Sequence, residues 1–135
     1  MRLLGIDYGT RRTGVALADT ETCLAAPFEL FTGLTDSVLA DRLCQLIRQE
    51  NIGRIVCGLP LNMDGTAGPQ AARTEAFIRQ LELRSGRDVQ RVDERLSSAA
   101  AEWKLAGHFT RRQKRRRVDA VAAARILQDF LDRGG

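Results

Sequence analysis

Arg2-Leu3-Leu4-Gly5-Ile6-Asp7-Tyr8-Gly9-Thr10, closely followed by Thr13-Gly14-Val15-Ala16-Leu17-Ala18, is the stretch that decides the fold. Leu3, Leu4 and Ile6 form a short apolar run, Asp7 to Thr10 is turn-forming, and a second apolar run begins at hairpin distance. Cys23 to Phe31 reads as a third strand, in which Pro27 marks an edge or a bulge because it has no N–H to give a central ladder. The spacing predicts a three-stranded antiparallel meander.

Downstream the pattern alternates. Thr35 or Asp36 can cap a helix whose apolar residues Val38, Leu39, Leu43, Leu46 and Ile47 recur at spacings of three and four, with Gly53 as its stop. Arg54 to Gly58 is a continuous apolar run, the pattern of a strand buried on both faces. Pro60 and Asp64-Gly65 mark a loop, Gln70 to Leu83 a second helix stopped at Ser85-Gly86, and Val89 to Val92 a fifth strand. A short helix is expected from Ser97 or Ser98 to Leu105. After a basic loop, a last, largely buried helix is expected from about Val118 to Leu131. Layer logic makes this α/β, a mixed five-stranded sheet with helices on both faces. A meander followed by βαβ units is the order of the ribonuclease-H-like fold, although ferredoxin-like arrangements fit the same string.

The 135 residues leave room for one domain, spanning 1–135, and 44% hydrophobic content suffices for an ordinary core. Cys23, Cys44 and Cys57 are odd in number and lack CxxC spacing, so they read as reduced thiols and the chain as cytoplasmic. No stretch approaches the roughly 20 apolar residues of a membrane span. The formal charge of +4 is unevenly placed: Arg111-Arg112-Gln113-Lys114-Arg115-Arg116-Arg117 holds six cations and no acid. The remainder has 15 Lys and Arg against 17 Asp and Glu, a net −2. A mildly acidic body with one dense cationic patch is the footprint of a phosphate-backbone contact, so Arg111, Arg112, Lys114, Arg115, Arg116 and Arg117 are candidate nucleic-acid ligands. The plainer alternative is a solvated loop.

Three acids fall at element ends: Asp7 after the first strand, Glu94 after the fifth, and Asp119 in the expected first turn of the last helix. Each has a structural explanation, namely an Asx-turn into Gly9, pairing of Glu94 with Arg91 or Arg95, and a favourable helix-dipole position for Asp119. Together at one sheet end they would repel, and such groups are usually kept for a cation; oxygen ligands select Mg²⁺ or Mn²⁺. Carboxylates beside a cationic segment suggest phosphodiester hydrolysis, with two metals about 4 Å apart activating water and stabilising the leaving oxygen. A single histidine, His108, gives no support for a Ser-His-Asp or histidine-based zinc site. The loop Leu59 to Gly68 is expected beside the carboxylates, with Asn62 meeting a phosphate or base edge unless it only caps local backbone. The first turn also looks like the phosphate-binding turn of the actin and sugar-kinase ATPases, but those close two domains around ATP.

Gly5-Ile6-Asp7-Tyr8-Gly9-Thr10 with Gly14-Val15-Ala16, then Gly58-Leu59-Pro60-Leu61-Asn62-Met63-Asp64-Gly65-Thr66, Asp93-Glu94-Arg95-Leu96-Ser97 and Val118-Asp119-Ala120 resemble four blocks of the YqgF/RuvX family of bacterial Holliday-junction resolvases. The resemblance implies a ribonuclease-H-like, metal-dependent nuclease that matures the 5′ end of pre-16S ribosomal RNA, with junction resolution as the older proposed activity. It implies nucleic acid and ribosomal particles as partners; a monomer or weak homodimer is expected. Asp7, Glu94 and Asp119 match the family's acidic triad. Related resolvases place an acid on the strand next to the first, where this chain has the Gly58 loop, and another where it has Arg116. In sheet order 3-2-1-4-5, Glu94 would stand two strands, roughly 10 Å, from Asp7 and must reach back across that gap; Asp64, on the nearer loop, is the substitute candidate. A binding module that does not cut is the remaining alternative.

Overall fold

The computed structural model describes residues 1–94 and 111–134, with the backbone alone at 111–119. Among the described residues, strands β1 (Arg2–Asp7), β2 (Arg12–Asp19), β3 (Leu24–Thr32), β4 (Ile52–Leu59) and β5 (Val89–Asp93) form one sheet in the order β3-β2-β1-β4-β5. The first three run antiparallel as the expected meander, and β4 and β5 run parallel to β1. β3 is the edge strand that Pro27 predicted. The β2–β3 register shifts between Val15, opposite Glu29, and Ala16, opposite Pro27, so Phe28 is the extra residue of a bulge.

Helices α1 (Asp36–Gln49) and α2 (Pro69–Ser85) cover one face and α3 (Arg111–Asp132) the other. Strand alternation assigns the faces. Leu4, Ile6, Val15, Ile55, Cys57 and Val89 pack under α1 and α2 with Leu43, Phe77 and Leu81. Leu3, Ala16, Ala18, Val56 and Val92 pack under α3 with Ala123, Ala124, Ile126 and Leu127. The α3 side is lined by small residues, and the helix lies close. A Cβ placed on Gly5 would stand 3.1 Å from the Ala123 carbonyl oxygen and 2.9 Å from Leu127 Cβ, so only glycine fits there. Next to Leu127, Gln128 accepts from the Ala25 N–H (3.0 Å) and donates to the Cys23 carbonyl (2.9 Å), tying the helix to the start of β3.

Several expectations are corrected. Thr35 is the N-cap of α1, its hydroxyl accepting from the Val38 N–H at 3.2 Å, but Val38 itself is exposed. The helix stops at Glu50 and Asn51, whose φ of 53° turns the chain, while Gly53 lies inside β4. The largest correction concerns the basic segment, which is the first part of α3 rather than a loop. Arg, Lys and Gln are good helix formers, and no Gly or Pro separates them from Val118, so nothing stops the helix from extending through them. The helix expected from Ser97 or Ser98 to Leu105, and His108, lie outside the described residues.

Candidate active site

Asp7 is the last residue of β1, held between two buried neighbours. Ile6 is fully buried, and the Tyr8 ring stacks on Phe77 of α2 with centroids 4.6 Å apart. The Tyr8 hydroxyl donates to Asp36 Oδ1 at 2.7 Å, fastening the end of β1 to the start of α1. Burial, and then that carboxylate, push the Tyr8 phenol up to about 12, so it remains a neutral anchor. Thr13 closes the following turn: its buried hydroxyl accepts from the Gly9 N–H and donates to the Gly9 carbonyl, both at 3.3 Å. The Gly9 N–H expected for an Asx-turn is thus served by Thr13.

The sheet register places the acids. β1 pairs with β4 through Ile6 and Cys57, and β4 with β5 through Gly58 and Val92. One residue further along, Asp7 is level with Gly58. By alternation, Asp7, Gly58 and Glu94 all fall on the α3 face, at the C-terminal ends of three parallel strands. Ligands bind at this end in open α/β sheets.

Glu94 lies two strands from Asp7, as the sequence predicts, and its side chain folds back across the intervening strand. A Cβ built on Gly58 would stand 2.7 Å from Glu94 Cγ and closer still to Oε1. The carboxylate of Glu94 therefore occupies the room above Gly58 on β4, one strand from β1. Cys57, between the two acids in the sheet, feels both. Burial pushes its thiol well above the ordinary range, and Glu94 and then Asp7 push it further.

Arg91 does not serve Glu94. It belongs to the opposite face, where it donates from Nε to Glu75 Oε1 (3.1 Å) and from NH1 to Glu82 Oε2 (3.0 Å). Arg95, the other suggested partner, lies outside the described residues.

Asp119 lies in the third turn of α3, eight residues after Arg111. The helix-dipole explanation weakens there, since that effect fades beyond the first turn. The side chains of Asp119 and of the six cations, Arg111, Arg112, Lys114, Arg115, Arg116 and Arg117, lie outside the described residues. Among the described side chains no three metal-ligating groups converge.

The Leu59 to Gly68 loop leaves the same end of the sheet and largely bonds to itself. Asp64 Oδ1 accepts from the Thr66 hydroxyl (2.6 Å) and N–H (3.0 Å), and Asn62 donates to the Thr66 hydroxyl at 3.0 Å. Both residues are exposed. Sequence reasoning missed Gly58 as the space that admits Glu94, and Thr13 as the turn's lock. A glycine inside an apolar run was the available signal for the first; a threonine at the start of a strand gave none for the second.

A family model described as RuvX, Holliday junction resolvase, matches residues 1–133. A protein of Beijerinckia indica subsp. indica named "Putative pre-16S rRNA nuclease" is 45% identical over 133 residues, covering 98% of this chain and 81% of its own. One of the same name from Methylocella silvestris is 44% identical over 133 residues, covering 98% and 83%. In fold, the chain is similar to Thermus thermophilus RuvC, solved in complex with a Holliday junction substrate, with a TM-score of 0.61 and 13% identity over 99% of this chain and 96% of that one. The likeness shows the ribonuclease-H-like fold expected from the element order. This chain belongs to the RuvX family of nucleases.

Proposed function

We propose that this protein is a cytoplasmic, Mg²⁺- or Mn²⁺-dependent endonuclease that trims the 5′ end of pre-16S ribosomal RNA, acting on ribosomal particles. The observation that carries the reading is the placement of Glu94 over Gly58, which brings its carboxylate to the strand beside Asp7. The names of the relatives at 44–45% identity supply the substrate.

Asp7, Glu94 and Asp119 would hold the metal. Helix geometry favours including Asp119. Ala123 lies against Gly5, and Gln128 against the start of β3, remote from the carboxylates, so the N-terminal direction of α3 leads toward the carboxylate end of the sheet. Gly5 faces the helix between Ala123 and Leu127; from their midpoint to 119 the helix rises about 9 Å and from Gly5 to Asp7 the strand about 6.6 Å, so position 119 falls within about 3 Å of the level of Asp7. The donor set of hard oxygens fits Mg²⁺ or Mn²⁺. Such an ion, when bound, lowers the pKa of a water and stabilises the leaving oxygen. The residues of the chain do the rest. The buried flanks of Asp7 keep its carboxylate in place, while the cations from Arg111 to Arg117, on the N-terminal side of Asp119, hold the phosphate backbone. Asn62, on the loop at the same sheet end, supplies a further nucleic-acid contact. Asp64 is the weaker ligand candidate, because Thr66 already takes up one of its oxygens.

The test is Asp7→Asn, which keeps the size and one acceptor oxygen and removes the charge. With metal present, the purified variant is expected to leave precursor uncut; cleavage at the wild-type rate overturns the assigned chemistry. Sequencing small-subunit ribosomal RNA 5′ ends after depletion tests the substrate, with accumulated precursor ends expected. The fold likeness to RuvC on a junction favours a second reading, resolution of four-way DNA junctions. Normal ribosomal RNA ends together with persistent recombination intermediates would select it. Symmetric junction cuts would also require a homodimer.

A further inference from the structure

We infer that Gly58 is a positioning residue whose missing side chain lets a carboxylate from β5 act at the end of β4, so that metal binding depends on residue 58 having no Cβ. The inference rests on Glu94 being a metal ligand, as proposed above. Gly58 is buried in the last part of β4, where backbone torsions demand no glycine: its φ is not among the positive values. Its need is steric. A methyl group would overlap Glu94 at Oε1 and at Cγ (2.7 Å), and Ile126 at Cδ1 (2.7 Å). Distances under 3.0 Å force something to move.

Glu94 is the part that moves. Its side chain is only half-buried and follows the last residue of β5, whereas Ile126 is packed in the core beneath α3. Displaced from Gly58, the carboxylate returns toward its own strand, two strand spacings, or about 10 Å, from β1. A single ion with metal–oxygen distances near 2.1 Å bridges one strand spacing and not two. The glycine therefore converts a remote glutamate into a neighbour of Asp7.

The test uses the full chain, with Mn²⁺ binding followed by electron paramagnetic resonance of the free ion, beside cleavage and thermal melting. Gly58→Ala is expected to weaken Mn²⁺ binding about 10-fold or more, the scale seen when a group that orients a ligand is lost. Cleavage should fall with it and recover partly at high Mn²⁺. The Gly58→Ala/Ile126→Val double variant removes the clash with the helix but not that with Glu94; its melting temperature should rise while its Mn²⁺ affinity stays weak. Moving the acid provides the rescue. Gly58→Asp/Glu94→Ala/Ile126→Val puts a carboxylate on β4 into the space vacated by Glu94 without the overlap at Ile126 Cδ1, and should bind Mn²⁺ more tightly than Glu94→Ala/Ile126→Val.

Wild-type Mn²⁺ affinity in Gly58→Ala, while Glu94→Gln binds weakly, overturns the inference and leaves Glu94 as a ligand. If Gly58→Ala does not fold, a relocated acid in the Ile126→Val background that binds no better than Glu94→Ala/Ile126→Val overturns it equally. Wild-type binding by Glu94→Gln removes the ligand reading itself and the inference with it.

Discussion

On one side of β5, Arg91 is bonded to Glu75 and Glu82 of α2; on the other, three residues further along, Glu94 lies over the bare backbone of Gly58. The first arrangement is self-contained. Hydrogen bonds from Arg91 hold both glutamates below the usual carboxylate range, and the guanidinium is held above its own. In the second, Glu94 and Asp7 lie close enough to raise the pKa of the same buried thiol, Cys57. β5 thus carries, on one face, a hydrogen-bonded charge cluster that ties α2 to the sheet and, just past its end on the other, a carboxylate that lies over the neighbouring strand. On the function proposed above, the difference separates acids that hold the fold, which are bonded to arginine, from Glu94, whose carboxylate is given room over a neighbouring strand.

The largest effect that could break this contrast is the loss of Glu94. Glu94→Gln should reduce cleavage about 100-fold or more, the scale of losing a group that acts on transition-state charge, with an unchanged melting curve. The mirror experiment is Arg91→Ala. Its charge-assisted bonds, discounted for partial exposure, are worth about 2 kcal/mol of stability, while the folded fraction should cleave normally. Chemical denaturation beside specific activity measures both, and loss of activity without loss of stability would erase the distinction.

The pH dependence sharpens it. Because Glu75 and Glu82 are held below their unfolded values, their contribution is full above the ordinary glutamate pKa of about 4.3 and is lost as pH falls through their folded values. Melting temperature followed down that range should fall more steeply for the native protein than for Arg91→Ala. A smaller effect belongs to the cations. Replacing Arg115, Arg116 and Arg117 by Ala should lower the slope of log affinity against log salt by about 2–3, near one unit for each phosphate that is no longer neutralised. An unchanged slope would mean that these cations do not touch phosphate. Smallest of all, Asn62→Ala should slow cleavage several-fold and leave the melting temperature within a few degrees, since its amide bonds only within an exposed loop.

Much of the fold was legible in the sequence because its signals are local. The meander follows from apolar runs at hairpin spacing, the edge position of β3 from Pro27, and the burial of β4 from its unbroken apolar run. The extent of α3 was not legible in the same way, because a dense run of charge reads as a loop, although Arg, Lys and Gln have strong helix propensity. At the site, the sequence named Asp7 and Glu94 and foresaw the two-strand gap between them. It also required Glu94 to reach back across that gap, but did not show that Gly58 makes the room, because an absent side chain leaves no periodicity to read. Asp64 illustrates the converse: its place near the site was legible, but its engagement by Thr66 depends on the three-dimensional path of the loop.

The close seating of α3 on Gly5 has a consequence for how the chain can vary in length. The helix is seated so closely here that a Cβ on Gly5 would meet the Ala123 carbonyl oxygen at 3.1 Å, and raising it would open a gap in a packed core. One residue inserted between positions 119 and 123 would turn 119 by about 100° around the helix axis and advance it by about 1.5 Å. Surface loops such as the one from Leu59 to Gly68 can absorb an added residue at small entropic cost. With Asp119 completing the site as proposed above, the four-residue interval from Asp119 to Ala123 cannot, so this short piece of helix acts as a fixed-length ruler in a protein whose surface loops can grow.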